Sequence, residues 1–316
     1  MKKILSITLL TVVCFSCNKV DLPDNEDSNS QYINIKLNVK QESVDMSHEP
    51  LRSTTNDRTY AINVYQMNPN TDTYEYYCCG VFDNADDLSI SFQKGYKYKL
   101  HIAMFINYFN HYSFSIDNHK QQSTTKLTSA SNSFQYESSS IYDLEYNYYG
   151  SVNNETYLRA IRPNVDSFHA IKEGYEPTEN NSLNITLKRS SFGITVNVEG
   201  MEEGSINTTL RTQNYYNYIQ PEFNINYPDN TYSEIYTMLN PISESDTMNV
   251  SIKYTNANGE TTELIKDIFT FNRNVRTIFN IKINKNNDTN TDSDISINID
   301  NAEFTETTYN YNCYIN

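Results

Sequence analysis

The sequence has no tryptophan, and its 316 residues include only 8 glycines and 8 prolines. Scarce glycine disfavours enzymes that hold phosphates or cofactors in glycine-rich loops, and no G-x-x-x-x-G-K-[ST], G-x-G-x-x-G or G-x-S-x-G motif occurs. The five histidines show no H-E-x-x-H or H-x-x-x-H spacing. These absences predict a protein that is not an enzyme and has no metal or cofactor. A hydrolase with two carboxylates is a less favoured alternative, because such a pair meets in space and leaves no motif.

Long hydrophobic runs are also missing. The longest run covers residues 4–15 after two lysines, and it is shorter than the roughly 20 apolar residues that a transmembrane helix needs. A charged start and a short apolar run are typical of a secretion signal. We predict a signal peptide over residues 1–16. The pair Ser16-Cys17 at its cleavage point resembles the bacterial lipobox, although Cys14 and Phe15 depart from it. Cys17 is therefore the predicted site of lipidation, including palmitate, and a plain secretion signal is the alternative.

Basic residues are few. The chain has 24 of them against 39 acidic residues, which gives a formal net charge of −15 at pH 7. Nucleic acid repels such a chain, so we predict no nucleic-acid partner. The stretch 17–31 is rich in Asp, Asn and Ser and is predicted to be a flexible, lipid-anchored tether. Its acidic start resembles the surface-export signal of lipoproteins in Bacteroidota-type bacteria, which implies a surface-exposed position on the cell outer membrane.

Cysteine is scarce as well. After Cys17 only Cys78, Cys79 and Cys313 remain, an odd number. Neighbouring side chains in a strand point to opposite faces, so we expect one buried and one outward thiol at Cys78-Cys79 rather than a strained vicinal disulfide.

Alternation of apolar and polar residues is the dominant pattern. Residues 32–40, YINIKLNVK, place four aliphatic side chains on one face and predict a half-buried strand. Asn258-Gly259 predicts a tight hairpin of the primed type. Further strands are predicted at 60–67, 73–82, 88–92, 96–106, 182–188, 192–200, 248–255, 264–271, 276–284 and 295–299.

Helical apolar spacing is not sustained over any dozen residues, although a short helix is expected near residues 140–149. Many short alternating strands predict an all-β protein built from sandwich domains. A strand that ends near Arg189 is followed at once by FGITVNVEG. We therefore predict one sandwich over residues 32–188 and a second over residues 189–316. The irregular region 113–179 is expected to be functional or to run over the surface.

Three stretches resemble the fimbrillin superfamily of anaerobic Gram-negative bacteria. They are YAINVYQMNPNTDTYEYY, ITLKRSSFGITVNV with an L-x-R element at the domain junction, and NVRTIFNIKIN late in the second sandwich. The resemblance implies two tandem transthyretin-like Greek-key β-sandwiches behind a lipoprotein signal peptide. It also implies a fimbrial (pilus) structural, anchor or tip-adhesin subunit, with other fimbrial subunits as partners and a host protein or glycan as ligand.

Assembly by β-strand addition is a further implication of this resemblance. A trypsin-like protease cuts the linker behind the first strand, and a strand of a neighbouring subunit fills the emptied position. Arg52 matches the place of the processed arginine and Arg58 is the second choice, while the plainer interpretation makes both ordinary loop residues. The predicted donor strand is the segment with Ile295, Ile297 and Ile299 in phase. That segment is equally compatible with an edge strand of its own domain.

A glycan-binding outer-membrane lipoprotein of a polysaccharide-uptake system is the alternative function. Tyrosine occurs 27 times, and its rings and hydroxyls suit stacking on sugars or protein contact as well as the plainer role of covering the sheets. The missing tryptophan weakens this alternative, because sugar platforms commonly use that residue. The candidate clusters of tyrosines are Tyr74, Tyr76 and Tyr77, and Tyr146, Tyr148 and Tyr149.

An acidic stretch that begins at Asp288 lacks the glycine and the final glutamate of a calcium loop and is expected to be a solvated linker.

Overall fold

The computed structural model describes residues 31–42, 57–136, 138–141, 144, 151–152, 155–156, 162–178, 182–212, 221–285 and 305–315. Within these ranges the chain forms 21 strands, one 3₁₀ helix, Ala85–Asp87, and one α-helix, α1, Tyr108–His111. The prediction of an all-β protein is confirmed. Among the helices of the described ranges, none is long and apolar enough to cross a membrane.

The strands of the first part of the chain are β1 Tyr32–Gln41, β2 Arg58–Asn68, β3 Thr73–Phe82, β4 Ser89–Gln93, β5 Tyr98–Ile106, β6 Phe114–Asn118, β7 Ser123–Leu127, β8 Phe134–Gln135, β9 Ser139–Ile141, β10 Ser151–Val152, β11 Glu155–Thr156, β12 Asp166–Tyr175 and β13 Ser182–Arg189. Those of the second part are β14 Ser191–Glu199, β15 Ser205–Thr212, β16 Glu222–Asn226, β17 Thr231–Thr237, β18 Ser245–Thr255, β19 Thr261–Asn272, β20 Val275–Lys285 and β21 Thr305–Ile315.

Eight strands of the first part form one sheet in the order β4-β1-β13-β12-β5-β2-β3-β8. β13 pairs with β1 along residues 182–187 and with β12 only through Lys188 and Arg189. The sheet therefore folds over at β13, so that Ile35 and Ile90 on one side share a core with Ile62 and Leu100 on the other. We call this unit the N-terminal sandwich.

The second part forms two four-stranded sheets, β17-β14-β20-β21 and β16-β15-β18-β19. One core of buried side chains lies between them, with Phe192 and Phe279 from the first sheet and Val250 and Phe271 from the second. We call this unit the C-terminal sandwich.

The same strand order underlies both sandwiches. In each, the first strand lies between one antiparallel and one parallel neighbour, which are β4 and β13 for β1, and β17 and β20 for β14. The parallel pair even carries the same side-chain bond: the Asn38 Nδ2 donates to the Asn184 Oδ1 at 3.1 Å, and the Asn197 Nδ2 donates to the Asn280 Oδ1 at 2.8 Å.

A three-stranded sheet, β7-β6-β9, distinguishes the N-terminal sandwich. Phe114, Ile116 and Ile141 pack on the outer face of β2, β3 and β5 and form a second core there. Asn63 fixes this cover sheet, because its Oδ1 accepts from the Ile141 N–H at 2.7 Å and its Nδ2 donates to the Ile141 carbonyl at 2.9 Å. Of the helix expected near residues 140–149, residues 140 and 141 belong instead to strand β9 and residue 144 has a 3₁₀ conformation, while the remaining residues lie outside the described ranges.

The cover sheet also decides the environment of the two neighbouring cysteines. Cys78 and Cys79 are both fully buried, Cys78 in the sandwich core and Cys79 in the second core. They point to opposite faces as expected, but the expected outward thiol is wrong because the outer face is itself covered. Burial raises the pKa of the Cys78 thiol well above its usual value.

The hairpin between β18 and β19 exists, but its turn is not of the primed type. Only Gly259 has a positive φ, +84°, whereas a type I′ turn needs positive φ at both central residues. Five residues, 256–260, lie between the two strands, and the Asn256 Oδ1 accepts from the N–H groups of Asn258 and Glu260, both at 3.0 Å. The Asn256 side chain therefore replaces part of the backbone bonding that the shorter turn would have supplied.

Candidate functional site

The first strand, β1, lies inside its sheet rather than at an edge. Residues 32–36 pair with β4, and residues 36–41 pair with β13, so only Lys36 has a strand partner on both sides. Further backbone bonds run from the Leu37 N–H to the Leu88 carbonyl and from the Glu42 N–H to the Leu187 carbonyl, each 2.8 Å. Removing β1 would leave unpaired backbone groups on two different strands at once.

Burial of β1 follows the alternation read from the sequence. Ile35 and Leu37 are fully buried in the sandwich core, and Ile33 and Val39 pack against its rim. The position that β1 occupies is therefore a slot with an apolar floor and two hydrogen-bonding walls, which we call the β1 slot.

Of the two candidate processing sites, the structure places only Arg58. It is exposed, but it is the first residue of β2 and pairs with Ile106, and Thr59 beside it is buried and pairs with Phe105. A protease needs an extended segment that leaves the sheet, so this ladder position is a poor cleavage site. Arg52 and the lipidation candidate Cys17 lie outside the described residues.

The C-terminal strand that the structure describes begins later than the predicted donor segment. β21 runs parallel to β20 along its whole length, from Thr305 beside Val275 to Ile315 beside Lys285. The Tyr309 ring contacts the rings of Phe269 and Phe279, with centroids 5.0 and 5.6 Å apart. Ile295, Ile297 and Ile299 lie outside the described residues.

A buried polar cluster joins the two sandwiches where β13 passes into β14 through the single residue Ser190. The Arg189 guanidinium donates to both carboxylate oxygens of Asp166, at 3.0 and 2.8 Å, and to the Asn274 Oδ1 at 3.2 Å. The Ser167 hydroxyl lies 2.9 Å from the Ser190 hydroxyl and 3.1 Å from the Ser191 hydroxyl. Arg189 is the arginine of the L-x-R element, and sequence reasoning missed its partners because they are distant in the chain.

Two histidines also face each other beside this junction. The His101 Nε2 lies 3.2 Å from the His169 Nδ1, and both side chains are buried. Burial lowers the pKa of His101 to about 3, with a smaller contribution from Lys99. Burial, His101 and Arg273 together hold the pKa of His169 well below its usual value. Both rings are therefore neutral near pH 7. The described residues hold no group of three or more His, Cys, Asp or Glu side chains that could bind a metal.

The first tyrosine cluster is divided between the two faces of its sheet. Tyr77 points inward, where it packs on the sandwich core and its hydroxyl donates to the Ser91 carbonyl at 2.7 Å. Tyr76 lies on the outer face, where its ring stacks on His119, and Tyr74 lies near Lys99. The second cluster, at residues 146–149, lies outside the described residues.

Among known proteins, this chain is similar to solved structures and to nothing else that was compared. No protein-family profile and no curated protein matches the chain. Among solved structures, the tip fimbrial protein Mfa3 of Porphyromonas gingivalis has a TM-score of 0.35 and 12% identity over 78% of this chain and 94% of its own. A candidate adhesin of Bacteroides ovatus has a TM-score of 0.35 and 11% identity over 76% of this chain and 84% of its own. The fimbrial anchor protein Mfa2 of P. gingivalis has a TM-score of 0.31 and 11% identity over 74% and 82%.

These neighbours are fimbrial and adhesin proteins, the class that the sequence resemblance indicated. At such TM-scores and identities the comparison carries no argument about function. The functional proposal below therefore rests on the strand geometry of this chain.

Proposed function

We propose that this protein is a surface lipoprotein of the fimbrial type, a pilus structural, anchor or tip-adhesin subunit that assembles by β-strand addition. The observation that carries the proposal is the β1 slot. A first strand that is internal to its sheet, and buries only two side chains completely, is an element whose loss creates an acceptor position for a strand of another subunit.

The linker behind β1 supplies the cleavage that such an exchange requires. Arg52 is the preferred site, because Arg58 is held in the β2 ladder. After a cut at Arg52, β1 is held to the sandwich only by its non-covalent contacts and can be displaced.

The proposal assigns a role to each end of the chain. Cys17 carries the lipid that holds the uncleaved protein on the outer membrane. An anchor subunit therefore keeps the lipid and β1, and a polymerising subunit loses the lipid and β1 together. The C-terminal segment, with Ile295, Ile297 and Ile299 and the strand β21, supplies the strand that enters the β1 slot of a neighbour. No enzymatic step is assigned to the protein.

Limited trypsin digestion of the mature chain tests the exchange. Mass spectrometry should find a cut after Arg52, and size-exclusion chromatography should then show oligomers that form as β1 is released. Arg52→Ala should stay monomeric, and Arg58→Ala is the matched control that should still be cut and assemble. A chain that is cut after Arg52, releases β1 and stays monomeric would contradict the proposal.

The lipid anchor has an independent test. Mass spectrometry of the mature N-terminus from membranes should find acylated Cys17, and Cys17→Ser should release the protein from the membrane fraction. A mature chain that begins at another residue would contradict the anchor and leave the exchange experiment unaffected.

A further inference from the structure

Among the described residues, those that cover the outer face of the N-terminal sandwich lie at one end of it. At the covered end Ala61, Ala103 and Phe105 lie under the cover sheet. At the other end the same strands carry a group of aromatic and charged side chains that are partly exposed. We call this group the tyrosine shelf: Tyr65 on β2, Tyr74 and Tyr76 on β3, Lys99 on β5, and His119 in the turn between β6 and β7.

A β-bulge is what brings these tyrosines to one face. The pairing of β2 with β3 shifts between Val64 and Tyr65, so that Val64 faces Cys78 while Tyr65 faces Tyr76, and Tyr77 is the extra residue. Tyr77 and Cys78 consequently both point to the sandwich core. Strict alternation would have placed Tyr76 on the core face with Cys78. Bulges that re-aim side chains in this way are concentrated next to functional sites.

Contacts on several strands hold the rings in place. The rings of Tyr76 and His119 are stacked, with centroids 3.8 Å apart and an interplanar angle of 8°, and the Tyr65 ring is tilted against Tyr76 at 5.4 Å. The His119 Nε2 lies 2.8 Å from the Ser140 hydroxyl of the cover sheet. The Tyr74 hydroxyl accepts from the Gly174 N–H at 3.1 Å. Little side-chain freedom remains to be lost when a ligand binds.

The charges of the shelf cancel each other. The Lys99 Nζ lies 5.9 Å from the ring centroids of both Tyr65 and Tyr74 and 2.8 Å from the Glu173 Oε1. The lysine and glutamate side chains are 30% and 57% exposed, so both stay available for hydrogen bonds. A chain with a net charge of −15 repels anionic ligands. The shelf therefore suits a neutral ligand that has one apolar face and many hydroxyl groups.

We propose that the tyrosine shelf binds a neutral hexose glycan. The C–H face of a pyranose ring stacks on the exposed rings, and its hydroxyl groups bond to Lys99, Glu173 and the tyrosine hydroxyls. This site gives the proposed surface protein a ligand class, and it does not depend on strand exchange at the β1 slot.

Affinity gel electrophoresis of the full mature chain in gels containing laminarin, galactomannan or xyloglucan tests the site. At least one polysaccharide should retard the protein. Tyr76→Ala should weaken retardation at least about tenfold, and Tyr76→Phe, which keeps the ring, should stay within about threefold. His119→Ala, at an exposed turn, should weaken retardation severalfold without unfolding the chain. The matched control is Tyr227→Ala, because Tyr227 is 54% exposed on the C-terminal sandwich.

Three outcomes would overturn the proposal: no retardation by any of the three polysaccharides, retardation that survives both Tyr76→Ala and His119→Ala, or retardation by anionic polysaccharides alone. The shelf variants are also put through trypsin digestion and size-exclusion chromatography, where assembly should be unchanged. No glycan binding with normal assembly would contradict the glycan site alone. No assembly with normal glycan binding would contradict strand exchange alone.

Discussion

The two sandwiches share a strand order and differ in what lies between two corresponding pairs of strands, β5 and β12 in the first and β18 and β19 in the second. In the C-terminal sandwich a five-residue loop, 256–260, joins β18 to β19, and both strands alternate between buried and exposed residues. In the N-terminal sandwich the residues between β5 and β12 include the cover sheet, and β2 and β5 are buried almost continuously. Within the described residues, the same framework is thus a two-layer structure in one half and a three-layer structure in the other, and the tyrosine shelf lies where the third layer ends.

The largest expected effect on stability comes from a substitution that disrupts the third layer. Phe114 is fully buried in the second core, and the described residues of the C-terminal sandwich include no counterpart of it. Phe114→Ala should lower the free energy of unfolding of the N-terminal sandwich by about 3–5 kcal/mol. Urea unfolding followed by circular dichroism should show only the N-terminal transition shifted. Ile242→Ala, at a side chain 52% exposed, is the control, and equal shifts of both transitions would contradict the comparison.

Next in size is the junction that couples the halves. Arg189→Met leaves the Asp166 carboxylate largely buried without its bidentate partner, and should cost about 3 kcal/mol. The unfolding transitions of the two sandwiches should also move apart. The double variant Asp166→Asn, Arg189→Met should recover part of the loss, because the uncompensated charge is gone. A single variant as stable as the parent would show that the pair is not a coupling element.

Acid should destabilise the N-terminal sandwich more than the C-terminal sandwich through the histidines, because all five precede the C-terminal sandwich. The pKa of His101 is lowered to about 3 in the folded state, and that of His169 is also lowered. The unfolded chain therefore binds more protons below about pH 6.5. Stability of the N-terminal sandwich should fall from pH 6.5 toward pH 3, by about 1.4 kcal/mol per pH unit for each histidine.

Thermal unfolding across this pH range measures that slope, and His101→Asn should reduce it. Glu234, in the C-terminal sandwich, acts in the opposite direction, because burial raises its pKa and its contribution is lost as the pH rises through the folded-state value. A slope confined to the C-terminal transition would refute the assignment to the histidine pair.

The smallest expected effect tests what the halves share. Asn38→Ala and Asn197→Ala each remove one side-chain bond between two parallel strands, β1 and β13 or β14 and β20, and each should cost about 0.5–1.5 kcal/mol. The Asn197 pair is less exposed than the Asn38 pair, so its loss should be at the upper end. Denaturant midpoints of the two variants provide the measurement, and a larger cost at Asn38 would reverse the expected order.

Local pattern was enough to predict ten of the 21 described strands, and it failed where distant residues decide. Residues 113–179 were expected to be irregular, but they contain β6 to β12, and β15, β16, β17 and β21 were not predicted either. The alternation in β1 predicted the burial of Ile35 and Leu37 because one face of that strand meets one core. The second core could not be predicted, because the cover over β2 and β5 comes from residues far along the chain. Alternation from Cys78 would place Tyr74 and Tyr76 on the core face, and the one-residue bulge that moves them to the outer face leaves no mark in the sequence.

For the candidate sites, too, residue types could be read from the sequence and their surroundings could not. Arg58 is the residue type that a trypsin-like protease requires, but its place in the β2 ladder depends on pairing with β5. Arg189 was noticed as part of the L-x-R element, whereas its partners Asp166 and Asn274 lie 23 and 85 residues away. Only a folded chain shows that these three side chains meet.

The parallel pairing of β1 and β13 gives the N-terminal sandwich a mechanical property. Tension between the two ends of this sandwich pulls β1 and β13 past each other in opposite directions along their common axis. Their ladder bonds then bear the load in shear, all together, instead of opening one after another from an end. In this sandwich, force along the chain is resisted first by that ladder, and release of β1 from the end of the ladder requires a pull from a different direction.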